Sequence, residues 1–344
     1  MNILLIQLKR IGDLILTTPA IEALRARFPD AQIVLAASND VAGLIPAIEH
    51  VDRTILMQRN FADATAFVSV GLKRFEFCVD FTRNDRSALL SFLSHAKKRV
   101  VSYRVKRRAP IRGRAYNEFV QHRMRDMHTI DYNLSLLGPL GIHDAAPDLH
   151  LHIPDASVSD AKQFLQHSGI DKPFAVFHPG SARLEKFWEP ERWADVILHA
   201  IEHHGLSAIL TGGTSRMEQA HLGEIKALLP RPTEAGAAHP IVDLSGKMDL
   251  LGLAALIAKA RLVVTVDSAP VHLAAAAGTP QVALFGPTNP YHWRPRQSPC
   301  AIMQGDSPVP QAHFESRQPR VPMKLISTEA VKSAMDALLS SPAA

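Results

Sequence analysis

The chain opens on an unbroken apolar run, "NILLIQL" at residues 2–8, followed by a turn and by helix-spaced apolar residues from 13 to 28. Short apolar runs bounded by polar turns then alternate with longer helical patterns: "AQIVLAA", a helix-like stretch, "RTILM", "FEFCVDF", "RSALLSFLSHA" and "KRVVSY". Short continuous apolar runs suit strands covered on both faces, and their alternation with helices predicts a parallel sheet. Beyond a basic segment, "DMHTIDYNLSLLGPLGI" has helical spacing ended by Gly and Pro. The polar, turn-rich "HDAAPDLHLHIPDAS" that follows is the expected domain boundary.

A second alternating series starts after it: strand "PFAVFHPG", helix "EPERWADVILHAIEHHG", strand "SAILTGG", helix "RMEQAHLGEIKALL" and a short strand near "IVDLSG". Helix "DLLGLAALIAKA", strand "RLVVTVD", helix "APVHLAAAAG" and strand "PQVALFG" complete it. Two doubly wound α/β domains in tandem fit these series better than one large sheet, and 344 residues exceed what one core usually organises. Residues 286–322 are Pro-rich and carry no clear pattern, and a last helix is expected at about 327–340. No apolar run approaches the roughly 20 residues that span a bilayer, and the first residues lack a signal-peptide layout, so a cytoplasmic location is expected.

Charge changes this picture through its distribution. Lys and Arg total 38 against 33 for Asp and Glu, a net +5 that indicates only a mild preference for anionic partners. Between Lys97 and Arg125, however, the basic side chains 97, 98, 99, 104, 106, 107, 108, 112, 114, 123 and 125 face the single acid Glu118. The segment has few interleaved aromatics, among them Tyr103 and Tyr116, and no nucleic-acid motif, so nucleic acid is not the expected partner. Cys78 and Cys300 read as structural thiols. The pairs His150/His152 and His203/His204 lack the further ligands that zinc requires, and no metal site is expected.

In open parallel sheets ligands gather at the carboxyl ends of strands, which directs attention to the loops there. "KRIGDLILTTPA" has the strand-turn-helix outline of a phosphate loop, yet Asp13 at the helix start would repel a phosphate. "FHPGSARLEKFW" offers backbone donors, the Ser181 hydroxyl and Lys186, a mobile cation suited to a diphosphate. Gly212 and Gly213 in "LTGG" let a ligand approach the backbone. "VVTVDSAPVHLAAAAGTP" delivers Asp267 at a strand end, Ser268 as a helix N-cap and Pro270 in the first turn, a helix start whose N–H groups suit an anion, with His272 one turn in. A capped, well-packed Ala helix without a ligand accounts for the same local pattern.

"GDLILTTPA", "HPGSARLEKFW" and "VDSAPVHLAAAAGTPQVALFGPTNP", in this order along nearly the whole chain, resemble the heptosyltransferases of lipopolysaccharide core assembly, glycosyltransferase family 9. "YNLSLLGPLG" and "HWRP" look most similar to the heptosyltransferase III branch. The resemblance implies a GT-B architecture, two Rossmann-like doubly wound parallel-sheet domains facing a central cleft. Residues 1–155 would bind the acceptor, 156–325 the nucleotide-sugar donor, and 326–344 would form a helix packing back on the first domain.

It further implies an inverting transfer from ADP-heptose, a co-substrate, with no metal or other cofactor, to the phosphorylated lipopolysaccharide inner core at the inner-membrane surface. The family's catalytic base falls on Asp13, where the helix dipole and the cations Lys9 and Arg10 stabilise a carboxylate. Lys186 falls near the donor phosphates, able to neutralise the leaving group. Asp267, Ser268, Ala269 and His272 match the donor loop, joined by Ser181, Gly212 and Gly213, with Glu218 expected on the ribose and Met248 on adenine. Lys9, Lys98, Arg104, Arg107, Arg108 and Arg112 are the expected acceptor-binding cations. A GT-B-fold sugar-nucleotide epimerase and a non-catalytic module binding anionic glycolipid are the alternatives, and the oligomeric state is not legible.

Overall fold

Among the described residues twelve strands form two sheets. In the first, β1 (Asn2–Gln7), β2 (Gln32–Ser38), β3 (Arg53–Met57), β4 (Phe77–Asp80), β5 (Lys98–Ser102) and β6 (Glu118–Val120) lie in the order β3-β2-β1-β4-β5-β6. In the second, β7 (Phe174–His178), β8 (Ser207–Leu210), β9 (Ile241–Asp243), β10 (Leu262–Val266), β11 (Gln281–Leu284) and β12 (Cys300–Met303) lie in the order β12-β11-β10-β7-β8-β9. Every pairing is parallel. The computed structural model describes residues 1–230 and 240–340 and divides into two units, Met1–His152 and Ile153–Ala344. The division falls inside the turn-rich stretch at 143–157, three residues before the expected 155/156.

Counted from its own first strand, each sheet has the same order, third-second-first-fourth-fifth-sixth. The order reverses between β1 and β4 in one unit and between β7 and β10 in the other. Chains leaving two adjacent strand ends in opposite directions open a crevice there, so each unit has a built-in place for a ligand. The strands beside these points are buried on both faces: β7 and β10 throughout, and β1 from Ile3 onward. That is why they read as unbroken apolar runs.

Several elements differ from the sequence reading. The helix expected at 13–28 is two helices, Ile11–Ile15 and Thr18–Arg27, because Pro19 lacks an N–H and starts a new helix. The basic segment, to which the sequence assigns charge but no element, holds two short helices, Tyr103–Arg108 and Pro110–Gly113, and edge strand β6. The helix Asp155–His167 went unread because it buries only Ala161 and Leu165, too few positions for a visible period. The Pro-rich region contains β12, which extends the second sheet beside β11.

The terminal helix, Thr328–Ser340, corrects the expectation that residues 326–344 pack on the first domain. It buries Ala330, Val331, Ala334 and Met335 in the second unit's core, beside Trp188, Trp193 and Leu284. Trp188 and Trp193 meet edge to face at 5.4 Å, an arrangement worth about 0.5–1.5 kcal/mol beyond area burial. The Trp188 indole N–H donates to the Ile326 carbonyl at 3.0 Å, and Lys332 pairs with Asp195 at 2.6 Å. Among the described residues no helix is long and apolar enough to cross a membrane.

Candidate active site

In the second unit the sheet order β9-β8-β7-β10 places four consecutive strand ends side by side, and the expected donor residues leave from all four. Ser181 and Lys186 follow β7, Gly212, Gly213 and Glu218 follow β8, Met248 follows β9, and Asp267, Ser268, Ala269 and His272 follow β10. The loops touch: Gly246 N–H donates to the Gly212 carbonyl at 2.9 Å.

Lys186 bridges the reversal point. Its ammonium donates to the Asp267 carboxylate at 2.5 Å and to the Asp267 carbonyl at 2.7 Å. The two side chains are only 11% and 7% exposed, so Lys186 is anchored rather than mobile. An ammonium has three N–H donors, and these two bonds engage two of them. Beside this pair starts the helix Ala269–Ala277, and here the expected cap fails. Ser268 holds the N-cap position, but its hydroxyl donates to the Val266 carbonyl at 3.3 Å and caps nothing. The helix start therefore presents N–H groups and the positive end of its dipole without a side-chain acceptor. His272 lies buried in its first turn.

Glu218 closes the opposite wall. Ser215 caps its helix, Arg216–Ala227, accepting from Glu218 N–H at 3.3 Å and donating to the Glu218 carboxylate at 2.9 Å. That carboxylate lies so close to Gly180 and Gly213 that a Cβ at either would collide with it. Neither glycine has a positive φ, so close approach is what these positions require. Under them lies His178, whose Nδ1 is 2.9 Å from the Thr211 hydroxyl. Thr211 in turn donates to the Phe177 carbonyl, which fixes Nδ1–H as the donor in the ring contact. Burial pushes His178 down to about 4, so the ring is neutral at neutral pH.

In the first unit the adjacent ends of β1, β4, β5 and β6 carry the acid and the cations. Asp13 lies in the first turn of Ile11–Ile15, a helix with no side-chain cap. Its one charged partner among the described residues is Lys9, at 3.4 Å. The Lys9 ammonium is held below its ordinary range chiefly by burial, with Asp13 opposing the shift and Arg83 adding to it. The Asp13 carbonyl accepts from the Thr17 hydroxyl at 2.7 Å and from Gln7 at 3.3 Å, and Gln7 also reaches Thr17 at 2.8 Å. The backbone of the turn is thus fastened by neutral partners while the carboxylate faces Lys9.

Sequence reasoning missed the neighbouring β4 end. Asp80, fully buried, accepts from Thr82 N–H at 2.7 Å, Arg83 N–H at 3.0 Å, the Ser87 hydroxyl at 2.7 Å and the Tyr116 hydroxyl at 2.5 Å. This network holds Arg83 in the left-handed region at φ 68°, a strained conformation for a side-chain-bearing residue. The Arg83 guanidinium lies over the Tyr132 ring at 5.0 Å, and its charge acts on both Lys9 and Arg104. "DFTRND" carries no turn signature beyond Asn84 and Asp85, so only the fold exposes this role.

A cavity of about 330 Å³ beside it is lined by Ser102, Tyr103, Arg104, Arg107, Arg108, Gln121, Arg123, Met124 and Arg125. Burial, followed by the charges of Arg108, Arg83, Arg125 and Arg107, holds Arg104 below its ordinary range. Crowded guanidinium groups of this kind are stabilised by an anion. Arg104, Arg107 and Arg108 are therefore brought together, joined by Arg123 and Arg125 from the turn after β6, both of which pair with Asp126, at 2.7 Å and 3.5 Å. Lys98 and Arg112 are not. Lys98 donates to the Pro139 carbonyl at 2.6 Å, and Arg112 is spent on Asp85 and the Arg83 carbonyl. Both serve the fold. The metal expectation also changes at one point, since His204 has His199 and Asp336 beside it.

Comparison with known proteins bears on these two sites together. Residues 66–320 match Glycosyltransferase family 9 (heptosyltransferase). The chain is 27% identical over 292 residues, 83% of each protein, to lipopolysaccharide heptosyltransferase 3 of Escherichia coli. Among solved structures it matches a family 9 glycosyl transferase from Veillonella parvula with TM-score 0.82, 23% identity and coverage of 98% and 97% of the two chains. The E. coli ADP-heptose LPS heptosyltransferase II follows at TM-score 0.76, 20% identity and 98% coverage of both chains. Both likenesses identify the GT-B fold.

Proposed function

The chain belongs to glycosyltransferase family 9, the heptosyltransferases, and on that footing we propose that it transfers heptose from ADP-L-glycero-D-manno-heptose to the phosphorylated inner core of lipopolysaccharide, in the manner of the heptosyltransferase 3 relative. The transfer inverts the anomeric carbon and uses no metal in its chemical step.

The acceptor hydroxyl attacks the anomeric carbon as Asp13 takes its proton. A carbon–oxygen bond forms, the bond from that carbon to the β-phosphate oxygen breaks, and its electron pair leaves with ADP. The developing charge on the diphosphate is met by the Lys186 ammonium and by the uncapped start of Ala269–Ala277, fixed groups that need no reorganisation. Asp267 holds Lys186 in place. Glu218 accepts from ribose hydroxyls, Gly180 and Gly213 allow the approach, and Met248 covers the base. Arg104, Arg107, Arg108, Arg123 and Arg125 receive acceptor phosphates, for which guanidinium forks are suited. The exposed Leu89, Phe92 and Ile111, which line one cavity with Arg112 and Arg114, suit a peripheral contact with an anionic cytoplasmic leaflet.

The observation that carries this reading is the Asp13 carboxylate. It caps no helix, and among the described residues its one charged partner is Lys9, an arrangement suited to a base that takes up a substrate proton. The test follows ADP release with ADP-heptose and heptose-truncated core acceptors. Release that needs both substrates and falls several hundredfold in Asp13→Asn is expected, with a thermal melt reading the separate cost of leaving the half-buried Lys9 without its partner. Isomerisation of the donor without acceptor, or full activity in Asp13→Asn, overturns the reading.

A further inference from the structure

The helix Pro190–His204 and the terminal helix Thr328–Ser340 meet through side chains that the proposed transfer does not use. His199 Nε2 lies 2.7 Å from Asp336 Oδ1, and His204 Nε2 lies 2.6 Å from the same oxygen. The three ligand atoms all lie within 4.8 Å of one another. The rings are well covered, 13% and 20% exposed, while Asp336 is open to solvent at 48%. The ring of His203 packs against that of His199 at 4.5 Å.

Proton accounting makes this cluster unusual. A neutral imidazole carries one N–H, so both rings must place it on Nε2 to approach the carboxylate, and both then converge on one oxygen. A divalent cation answers the same geometry with both ring lone pairs and the carboxylate turned inward. Two imidazoles and a carboxylate are a zinc-type donor set, with a water completing four ligands. Tetrahedral ligands about 2.0 Å from zinc stand about 3.3 Å apart, so each of the two nitrogen–oxygen distances needs to open by about 0.6–0.7 Å, a small side-chain rotation.

A second observation points the same way. His203 and His204 end their helix, where Gly205 turns the backbone left-handed at φ 61°. The negative end of the helix dipole falls in that last turn and favours a cation. We propose that His199, His204 and Asp336 form a zinc-type divalent-cation site that fastens the terminal helix to the second unit.

The position argues for a structural ion. The helix begins beside the strand ends that carry Lys186, and its 15 residues, at about 1.5 Å per residue, carry His204 about 22 Å away from that edge. The proposal therefore stands or falls separately from the transfer chemistry.

Purified full-length chain without a histidine tag is stripped with EDTA, then titrated with Co²⁺ and Zn²⁺. One equivalent of Co²⁺ is expected to give the visible absorption of a tetrahedral site, displaced by Zn²⁺, and saturating Zn²⁺ is expected to raise Tm by several degrees. His204→Ala and Asp336→Asn should abolish both signals. Asp336→Asn keeps an oxygen acceptor for the two rings, so the fold survives while the anionic ligand is lost. His203→Ala should leave the stoichiometry unchanged. Absence of a bound equivalent in the wild-type chain, or binding that persists in His204→Ala and Asp336→Asn, overturns the site and leaves a hydrogen-bonded clamp.

Discussion

Replacing Lys186 tests whether the best-buried ion pair in the donor loops serves stability, chemistry or both. Lys186→Met keeps the length of the side chain and removes its charge, leaving the Asp267 carboxylate, 7% exposed, without its ammonium. Breaking one side of a buried pair costs about 3–5 kcal/mol because the surviving charge is stranded. At about 2–4 °C per kcal/mol for a unit of this size, Tm should fall by roughly 6–20 °C. Losing the cation that meets the leaving diphosphate should independently reduce kcat about 10²–10³-fold, the effect of removing one preorganised electrostatic contact. The double variant Lys186→Met/Asp267→Asn separates the two. With both charges gone, the stranding penalty is relieved and much of Tm should return, while kcat stays low. Thermal melts and steady-state ADP release on the single and double variants supply the four numbers. Recovery of activity together with Tm in the double variant would refute a role for Lys186 in the chemistry. An unchanged Tm in Lys186→Met would refute the pair itself.

Three further outcomes are expected. His178 is held at about 4, below its ordinary 6.5, so the unfolded chain takes up this proton first as pH falls. Its neutral form is fully compatible with folding above about 6.5, stability should drop between about 6.5 and 4 by about 3 kcal/mol, and His178→Asn should flatten that part of a urea-midpoint profile. Arg104→Ala, Arg107→Ala and Arg108→Ala should each raise KM for a phosphorylated acceptor and weaken its salt dependence without moving KM for the donor, whereas Arg112→Ala, paired with the exposed Asp85, should change Tm by no more than about 1 kcal/mol equivalent and leave both KM values alone. Gly213→Ala should raise donor KM by displacing Glu218, and pairing it with Glu218→Ala should relieve the collision without restoring affinity.

Much of the candidate site is legible locally because its parts are strand-end loops whose chemistry is written in consecutive residues. "VDSAPVH" announces a strand, an acid and a helix start, and the structure supplies all three. The same locality misleads about detail. Ser268 has the right position for a cap, yet its hydroxyl turns back to Val266, a choice made by the loop's φ of −148° and ψ of −171°. The basic segment shows its charge but not its sorting, since Lys98 and Arg112 find partners 41 and 27 residues away. Arg83 was invisible because its importance comes from a network through Asp80 that reaches Tyr116.

Hydrophobic period and turn residues by themselves determined that this protein is built from parallel strands alternating with helices, in two successive series, with its reactive loops at strand ends. These are local matters: a short apolar run buries both faces, and a capped amphipathic stretch covers it. Strand order is a different matter, because nothing within β1 or β7 says which strand lies beside it. Only the tertiary crossovers put β4 against β1 and β10 against β7, and so brought the charges of Asp80 and Arg83 to bear on Lys9, the partner of Asp13, and Asp267 onto Lys186 across 81 residues. The terminal helix was decided in the same way. Its apolar face specifies burial without specifying a partner, and the core around Trp188 and Trp193, with Asp336 meeting His199 and His204, set its place in the second unit.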